Sequence, residues 1–256
     1  MKYVRFHEGE GVRWGVLKGM SVRVVDGDSI SGYSETRHVV KAKDLKLLPP
    51  ATPGKTIGIG LNYAAHAAEG GKRVPTEPLM FMKPPSAVIG AGDTVTLPNP
   101  QHRTDHEAEL AVVIGRRCRD LTADNWRNVV LGYTYANDVS DRVLQRRDDQ
   151  YTRGNGFDTF CPLGPGLVDA IDPSDIAIRC SVNGVLRQDS RTKDMIFSVE
   201  SLLRFVSRVM TLEPWDVILT GTPEGVGPIA PGDEVRVEVE RIGTLTNRVA
   251  ARGSRL

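Results

Sequence analysis

The chain has 256 residues, and its 33 Lys and Arg nearly balance its 32 Asp and Glu, for a formal net charge of +1. This length suits one sizeable domain with a small one, and the balanced charge argues against binding to nucleic acid or an acidic membrane surface. No apolar window has the length of a membrane span or of a signal peptide. We therefore expect a cytoplasmic protein with neither a nucleic-acid nor a membrane partner.

The first fifty residues contain short β-prone runs separated by glycine turns, which predict a β-meander. These runs are residues 2–6, 12–17 and 21–25. A proline-rich break follows at residues 49–54. We place a domain boundary there, between a small N-terminal β-meander domain of residues 1–50 and a larger domain of residues 51–256.

Strand patterns outnumber helical ones beyond this break. Residues 56–60 are an apolar run typical of a strand, and an alanine-rich turn or short helix follows at residues 62–69. Residues 130–138 and 235–239 also favour strands, and Asn183-Gly184 predicts a hairpin turn. The clearest helix is amphipathic and spans residues 198–210, with the apolar face Val199, Leu202, Leu203, Val206 and Met210. The pattern predicts a β-rich α+β fold, a mixed β-roll or sandwich with flanking helices.

The cysteines form no recognisable site. Cys118, Cys161 and Cys180 are far apart and show neither a Cys-x-x-Cys pair nor a Cys/His ligand spacing. Reduced thiols fit this pattern best. Cys161 precedes Pro162 and has no evident base, so we interpret it as a buried structural thiol rather than a nucleophile.

Two glutamates flank a single residue where an apolar run begins, in Glu107-Ala108-Glu109. The following residues 110–114 are β-prone, and strand side chains repeat every two residues, so both glutamates would project from one face. Adjacent carboxylates repel each other, and a hard divalent cation is the usual compensation. The alternative is a solvated strand face with two surface glutamates.

A third acidic residue, Asp138, lies where the β-prone residues 130–137 turn into a charged segment. Three carboxylates would leave about three positions of an octahedral Mg²⁺ or Mn²⁺ shell open. The alternative is that Asp138 caps the helix that follows.

Six motifs occur in one order along the chain, at residues 58–66, 81–86, 106–110, 135–138, 156–165 and 220–227. With them the chain closely resembles the fumarylacetoacetate hydrolase family. Its first fifty residues resemble, more loosely, the small domain of many bacterial members. The resemblance implies a mixed β-roll of the family's C-terminal-domain type around a Mg²⁺ or Mn²⁺ site, usually in a homodimer.

The resemblance also implies residue roles. Glu107, Glu109 and Asp138 would be the metal ligands, and His66 and Glu69 would form a catalytic dyad on a lid segment. One helical turn separates His66 from Glu69, so the two can hydrogen-bond and the carboxylate can raise the basicity of the imidazole. The alternative is a surface histidine beside a solvated helix end.

Three further positions match substrate-binding residues of the family. Arg142 and Gln145 lie one turn apart, and Arg142 could hold a substrate carboxylate with a bidentate fork. Thr222 corresponds to a residue that binds the substrate carboxylate through its hydroxyl and backbone donors. The alternatives are a surface arginine and a simple tight turn. We interpret Lys83, in another family motif, as structural rather than catalytic.

One position departs from the family. Asn155 stands where many members carry a lysine that reaches into the active site, and an amide supplies no positive charge. Arg153, two residues earlier, is a candidate for the missing charge. The substitution weakens lysine-assisted hydrolysis of acylpyruvates more than it weakens chemistry in which the metal carries the charge.

The resemblance leaves several reactions open for a small-molecule 2-oxo acid, which chelates a metal through its carboxylate and keto oxygens. Our preferred hypothesis is enol–keto isomerisation or decarboxylation of 2-oxo or 2-hydroxy-dienoic (di)acids, as in aromatic catabolism. The first alternative is a C–C bond hydrolase of the fumarylacetoacetate or acylpyruvate type. The second is a catalytically weak member that only binds metal and carboxylates.

Overall fold

Strands form most of the regular structure in this computed structural model, which describes residues 1–253. The last three residues of the predicted domain 51–256 lie outside the described residues. The α-helices are α1 (Ala64–Glu69), α2 (Arg142–Arg147), α3 (Thr152–Asn155) and α4 (Val199–Val209). Single 3-10 turns lie at Ala42–Asp44, Pro85–Ala87, Trp126–Val129 and Thr192–Asp194.

The strands follow in chain order. They are β1 (Lys2–Glu8), β2 (Gly11–Lys18), β3 (Ser21–Asp28), β4 (Gly32–Lys41), β5 (Leu47–Leu48), β6 (Thr56–Gly60), β7 (Leu79–Lys83), β8 (Val88–Ile89), β9 (Thr94–Leu97), β10 (Thr104–His106), β11 (Ala108–Ile114), β12 (Val130–Asn137), β13 (Ser140–Asp141), β14 (Cys161–Pro162), β15 (Gly166–Val168), β16 (Ala177–Val182), β17 (Val185–Arg191), β18 (Val217–Leu219), β19 (Gly227–Pro228), β20 (Glu234–Val239) and β21 (Gly243–Ala251).

Besides two small sheets, β13-β10-β19 and β14-β8, the strands of the described residues form two main sheets. The larger has 11 strands in the order β4-β3-β2-β1-β15-β12-β11-β18-β6-β7, with β5 beside β1. The smaller has five strands in the order β17-β16-β20-β21-β9. Most neighbours are antiparallel, but β18 pairs with β6, and β21 with β9, in parallel. This mixed, strand-rich architecture confirms the predicted fold class.

The main apolar core joins both sheets with α4. Side chains of β11, β20 and α4 share one cluster, among them Leu110, Val112, Val237 and Leu203. Alternate β11 residues such as Ala111 belong to a second cluster on the opposite face. Because β11 is buried on both faces, any charged residue at its start enters a low-dielectric environment.

The N-terminal meander is confirmed, with β4 as a fourth strand that the sequence reasoning did not predict. Its strand β1 also pairs with β15, at Tyr3 opposite Leu167. The meander is therefore continuous with the large sheet, and a domain boundary at residue 50 stays a prediction.

Two local predictions are confirmed in detail. Asn183 and Gly184 have φ of 53° and 77°, the left-handed pair that a type I′ hairpin turn between β16 and β17 requires. Helix α4 begins after Ser198, whose Oγ accepts a hydrogen bond from Ser201 N at 3.3 Å. The predicted apolar face is buried at Val199, Leu202, Leu203 and Val206, and Met210 is partly buried.

Within residues 1–253, no helix combines the length and the apolar composition that crossing a membrane demands. Cys161 is fully buried, and burial raises its pKa to about 12, as expected of a structural thiol rather than a nucleophile.

Candidate metal and active site

The pairing of β11 with β12 brings the acidic residues together. Ala108 is opposite Asn137 in this antiparallel pair, so β11 begins where β12 ends. Glu107 lies between β10 and β11, and its carbonyl accepts a hydrogen bond from Asp138 N at 2.8 Å. Asn137 Oδ1 accepts one from Glu107 N at 2.9 Å. The register therefore fixes Asp138 directly beside Glu107.

The three predicted ligands converge. Carboxylate oxygens of Glu107, Glu109 and Asp138 all lie within 4.8 Å of one another. The three residues are only 7%, 1% and 0% exposed, so the alternative of surface glutamates is wrong. The helix-cap alternative for Asp138 is also wrong, because Asp141 caps α2 by accepting hydrogen bonds from two of its backbone amides.

The electrostatics of this cluster suit a cation. Burial, together with the charges of Asp138 and Glu107, raises the pKa of Glu109 well above its ordinary value. Burial also raises the pKa of Asp138 to about 6, although Lys83 opposes the shift. Asp138 Oδ2 is buried and has no hydrogen-bond partner among the described residues. An oxygen-only, partly unpaired donor set fits a hard divalent ion such as Mg²⁺ or Mn²⁺.

Lys83 supplies the buried positive charge next to this cluster. Its ammonium donates hydrogen bonds to Asp138 Oδ1 and to the carbonyl of Val139, and its side chain is fully buried. Because it contacts Asp138 rather than lining the cleft, its position supports a structural role.

A cleft of 830 Å³ opens over the glutamates. His66 and Glu69 line it, with His66 Nδ1 3.5 Å from Glu69 Oε2 and His66 Nε2 4.0 Å from Glu107 Oε1. The His66 side chain is 13% exposed, so it is not a surface histidine. Glu69 also accepts a hydrogen bond from Gly225 N at 3.2 Å, which connects α1 to the loop beyond β18.

Arg142 lies in the cleft wall, but its guanidinium already donates hydrogen bonds to other side chains of the protein. It donates to Glu107, to Asp105 Oδ2 at 2.9 Å and to Gln145 Oε1 at 2.8 Å. Burial would raise the pKa of Asp105, but hydrogen bonds and charges from Arg103 and Arg142 outweigh it and lower that pKa. Arg142 thus orients a predicted metal ligand, and its contact with substrate stays a prediction.

Thr222 lies at the cleft, with its hydroxyl engaged inside the protein. The hydroxyl donates to the carbonyl of Ala108 at 2.9 Å and accepts from Gln188 Nε2 at 2.8 Å. Neighbouring Gly221 donates its N–H to Glu109 Oε2 at 2.7 Å. A hydroxyl has one proton, so the Thr222 side chain has none left to donate to a substrate in this arrangement.

Asn155 is fully buried and does not line the cleft. Its Oδ1 accepts from Ser140 Oγ at 2.5 Å, and its Nδ2 donates to the carbonyl of Tyr151 at 2.9 Å. Arg153 does not point inward either, since its half-exposed side chain pairs with Asp148. Neither residue therefore brings charge into the cleft.

Sequence reasoning missed Asp105, Gln188 and Gly225. Asp105 carried a signal, because it stands two residues before Glu107 and shares its strand periodicity. Gly225 lies in the motif at residues 220–227, but its contact with Glu69 was not predicted. Gln188 carried no signal, since its contacts depend on segments far apart in the chain. The cleft wall also includes Arg103, whose guanidinium pairs with Asp105, and the cationic residues Lys72 and Arg146. The charges of Lys72 and Arg146 favour an anionic ligand.

Comparison with known proteins places this site in context. The family model described as fumarylacetoacetate (FAA) hydrolase C-terminal matches residues 55–250, and one described as Rv2993c-like, N-terminal matches residues 1–50. The mitochondrial oxaloacetate tautomerase of Xenopus laevis is 42% identical over 232 residues, covering 86% of this chain and 73% of the relative.

Solved structures agree over nearly the whole chain. The 2-hydroxyhepta-2,4-diene-1,7-dioate isomerase from Mycobacterium marinum superposes with a TM-score of 0.92 at 39% identity, covering 99% of this chain and 100% of that one. Maleylpyruvate hydrolase from Sphingobium sp. SYK-6, in complex with manganese(II) and pyruvate, gives a TM-score of 0.80 at 30% identity, covering 98% and 99%. The chain belongs to the fumarylacetoacetate hydrolase family.

Proposed function

We propose that this chain is a divalent-metal-dependent enzyme that isomerises or decarboxylates 2-oxo and 2-hydroxy-dienoic diacids. The observation that carries the proposal is the convergence of Glu107, Glu109 and Asp138 within 4.8 Å, beside His66 in one cleft. One relative is named as an isomerase of a hydroxy-dienoic diacid and another as an oxaloacetate tautomerase, and both names support isomerisation over bond hydrolysis.

The three carboxylates would hold Mg²⁺ or Mn²⁺, and the bound ion would supply Lewis acidity toward the substrate's keto oxygen. The chain orients its ligands in advance. Arg142 holds Glu107, and the backbone N–H of Gly221 holds one oxygen of Glu109 at 2.7 Å. Such fixed contacts reduce the reorganisation needed when the substrate binds.

His66 would move the proton. Its Nε2 is directed toward the carboxylate cluster, and its Nδ1 lies 3.5 Å from Glu69 Oε2. A proton removed from the carbon next to the keto group would pass to Nε2 and return to another atom of the substrate. Glu69 would stabilise the imidazolium formed in between. We expect the cations Lys72 and Arg146 to favour substrates with a second carboxylate.

A C–C hydrolase of the acylpyruvate type is the second candidate. The same His66 and Glu69 pair could activate water, and the manganese-bound relative is a hydrolase. A catalytically weak binding protein has less support, because Asn155 is bonded to Ser140 and Tyr151, away from the cleft, and because both His66 and Glu69 line the cleft. A homodimer, also proposed from the family resemblance, can be tested by light scattering.

The test is an assay of metal-stripped protein before and after adding Mg²⁺ or Mn²⁺. The substrates are oxaloacetate, an acylpyruvate and a 2-hydroxy-dienoic diacid, with Glu107→Ala and His66→Ala measured in parallel. We expect metal to restore turnover and Glu107→Ala to abolish it. His66→Ala should bind metal normally but lose about 10²–10⁴-fold in kcat.

The preferred substrate then decides the reaction class. Rapid acylpyruvate hydrolysis without enol–keto conversion or decarboxylation would favour the hydrolase. Metal binding without turnover of any of the three would favour the binding protein.

A further inference from the structure

Gln188 is a buried amide on an otherwise exposed strand. Its β17 neighbours Arg187 and Asp189 are exposed, but Gln188 is 1% exposed. Burying an amide costs free energy unless all its polar atoms find partners. The position of Gln188 therefore calls for a specific set of contacts.

Each polar atom of the Gln188 amide has such contacts. Oε1 accepts a hydrogen bond from Ala108 N at 3.0 Å and lies 3.2 Å from His106 Nδ1. Nε2 donates to Thr222 Oγ1 at 2.8 Å and to the carbonyl of Pro223 at 2.9 Å. Both N–H groups and one lone pair are thus used, and the second lone pair is used in the tautomer that carries a proton on His106 Nδ1.

Backbone groups fix the direction of these bonds. Ala108 N–H can only donate and the Pro223 carbonyl can only accept, so the amide has one orientation. Thr222 Oγ1 therefore accepts from Gln188, and its own proton goes to the carbonyl of Ala108 at 2.9 Å. The hydrogen bonds form a ring through both backbone groups of Ala108, the residue between Glu107 and Glu109.

This ring continues a strand pairing that has ended. The last pair between β11 and β18 is Ala111 with Leu219, three residues beyond Ala108. Past that point Gln188 and Thr222 take the place of a neighbouring strand beside Ala108. The connecting loop also lies tightly against β17, since a Cβ on Gly225 would be 2.1 Å from the carbonyl oxygen of Arg187. That same Gly225 donates its N–H to Glu69.

We infer that Gln188 is a positioning residue that holds the Glu107–Glu109 segment and the Gly221–Gly225 loop at one fixed spacing. It acts through Ala108 and Thr222 and does not line the cleft. The carboxylate pair, the backbone donor on Glu109 and the Gly225 contact to Glu69 all depend on that spacing. The inference rests on the proposed function for its catalytic consequence, and its effect on the carboxylate pair is independent of turnover.

The test compares Gln188→Glu with the same exchange at exposed Gln101. The new carboxyl keeps the bond from Ala108 N. It can donate to neither Thr222 nor Pro223 when ionised and to only one of them when protonated, so at least one hydrogen bond of the amide is lost without a change of shape. Calorimetric titration with Mn²⁺ should show an affinity about 10–100-fold lower. This is the typical cost of removing a residue that holds a metal ligand in place. With a substrate that the parent turns over, kcat should fall more than KM rises. Gln101→Glu should match the parent both in Mn²⁺ affinity and in kcat and KM.

A second pair of variants keeps the test decisive if Gln188→Glu does not fold. Thr222→Val removes the hydroxyl with little change of volume, and Thr222→Ser keeps it. We expect Thr222→Val to lower Mn²⁺ affinity in the same way and Thr222→Ser to recover most of the loss. When Gln188→Glu and Thr222→Val are combined, their fold-losses in Mn²⁺ affinity should not multiply, because both substitutions break the same ring of hydrogen bonds.

Two results would overturn the inference. One is unchanged Mn²⁺ affinity in both Gln188→Glu and Thr222→Val. The other is a lowered unfolding temperature with the parent's metal affinity and kcat, which would show a purely structural role. If the parent binds Mn²⁺ but turns over no 2-oxo acid, the proposed function fails, and the affinity comparison still tests the role of Gln188.

Discussion

The N-terminal meander and the cleft contain the same kind of ion pair in opposite surroundings. In the meander, Lys18 Nζ lies 3.3 Å from Glu35, and these side chains are 56% and 46% exposed. In the cleft region, Lys83 contacts Asp138 with both side chains almost fully buried. Water screens the first pair, whereas the second has lost its hydration and depends on its protein partners.

The difference teaches where charge indicates function. An exposed ion pair contributes roughly 0–1 kcal/mol and can occur anywhere on a surface. A buried carboxylate costs several kcal/mol to desolvate and persists only with compensation. Lys83 pairs with Asp138 and Arg142 pairs with Glu107, whereas the carboxylate of Glu109 accepts a hydrogen bond from the neutral backbone N–H of Gly221. The remaining negative charge is why we expect a bound cation here and none in the meander.

The largest expected effect comes from neutralising one carboxylate in each region. Glu109→Gln should lower Mn²⁺ affinity by more than about 100-fold, beyond the usual cost of losing an outer contact, and should abolish turnover. Glu35→Gln should leave both unchanged, because Glu35 pairs with Lys18 and Arg23 of the meander and does not line the cleft. Titration calorimetry and the metal-restored assay measure the two effects. Normal Mn²⁺ binding by Glu109→Gln would remove the distinction between the regions.

The next effect concerns the two lysines. Lys83→Met should destabilise the fold by about 3–5 kcal/mol, because it leaves Asp138 buried without its partner. Lys18→Met should change the free energy of unfolding by less than about 1 kcal/mol. Urea denaturation of the two metal-free variants gives both values. Equal losses would mean that the buried pair is screened as well as the exposed one.

A pH series sharpens the comparison further. A carboxyl whose pKa is higher in the folded than in the unfolded chain stabilises the fold most when protonated. The metal-free protein should therefore lose stability as the pH rises from about 4 through the raised pKa of Asp138, about 6.

Thermal unfolding of the parent and of Glu109→Gln at each pH isolates the contribution of Glu109, including its repulsion with Asp138. Groups outside the carboxylate cluster cancel in the difference. The variant should gain stability relative to the parent as the pH rises, because burial and neighbouring carboxylates raise the pKa of Glu109. Saturating Mn²⁺ should remove the parent's loss, since the ion stabilises the charged forms. A constant difference across the series would contradict the raised pKa of Glu109.

The smallest effect on activity should come from Asn155. Asn155→Leu removes the hydrogen bonds to Ser140 Oγ and the Tyr151 carbonyl, which should cost about 1–3 kcal/mol of stability. We expect kcat/KM to change by less than tenfold, because the side chain does not line the cleft. Urea denaturation measures the loss of stability, and the metal-restored assay measures kcat/KM. A large loss of kcat at full stability would show that this position acts in catalysis.

Local patterns made much of the fold and part of the site predictable. Strand alternation put Glu107 and Glu109 on one face, and the Asn183-Gly184 turn and the apolar face of α4 were correct, because these features depend on neighbours in the chain. The hydrogen-bond partners of the Arg142 guanidinium were not predictable from the sequence. Its partners Asp105 and Glu107 lie 37 and 35 residues away, and only strand pairing brings them to it.

The sequence by itself determined the strand-rich fold class and the chemistry available, since spacing and side-chain type are properties of the chain. The tertiary structure alone decided which charges are buried and which groups already have partners. It buried Asp138 and exposed Arg153, engaged the Thr222 hydroxyl, and brought Gln188 to Ala108 across 80 residues. The physical reason is that burial and hydrogen-bond partners depend on contacts between distant segments, which no local period encodes.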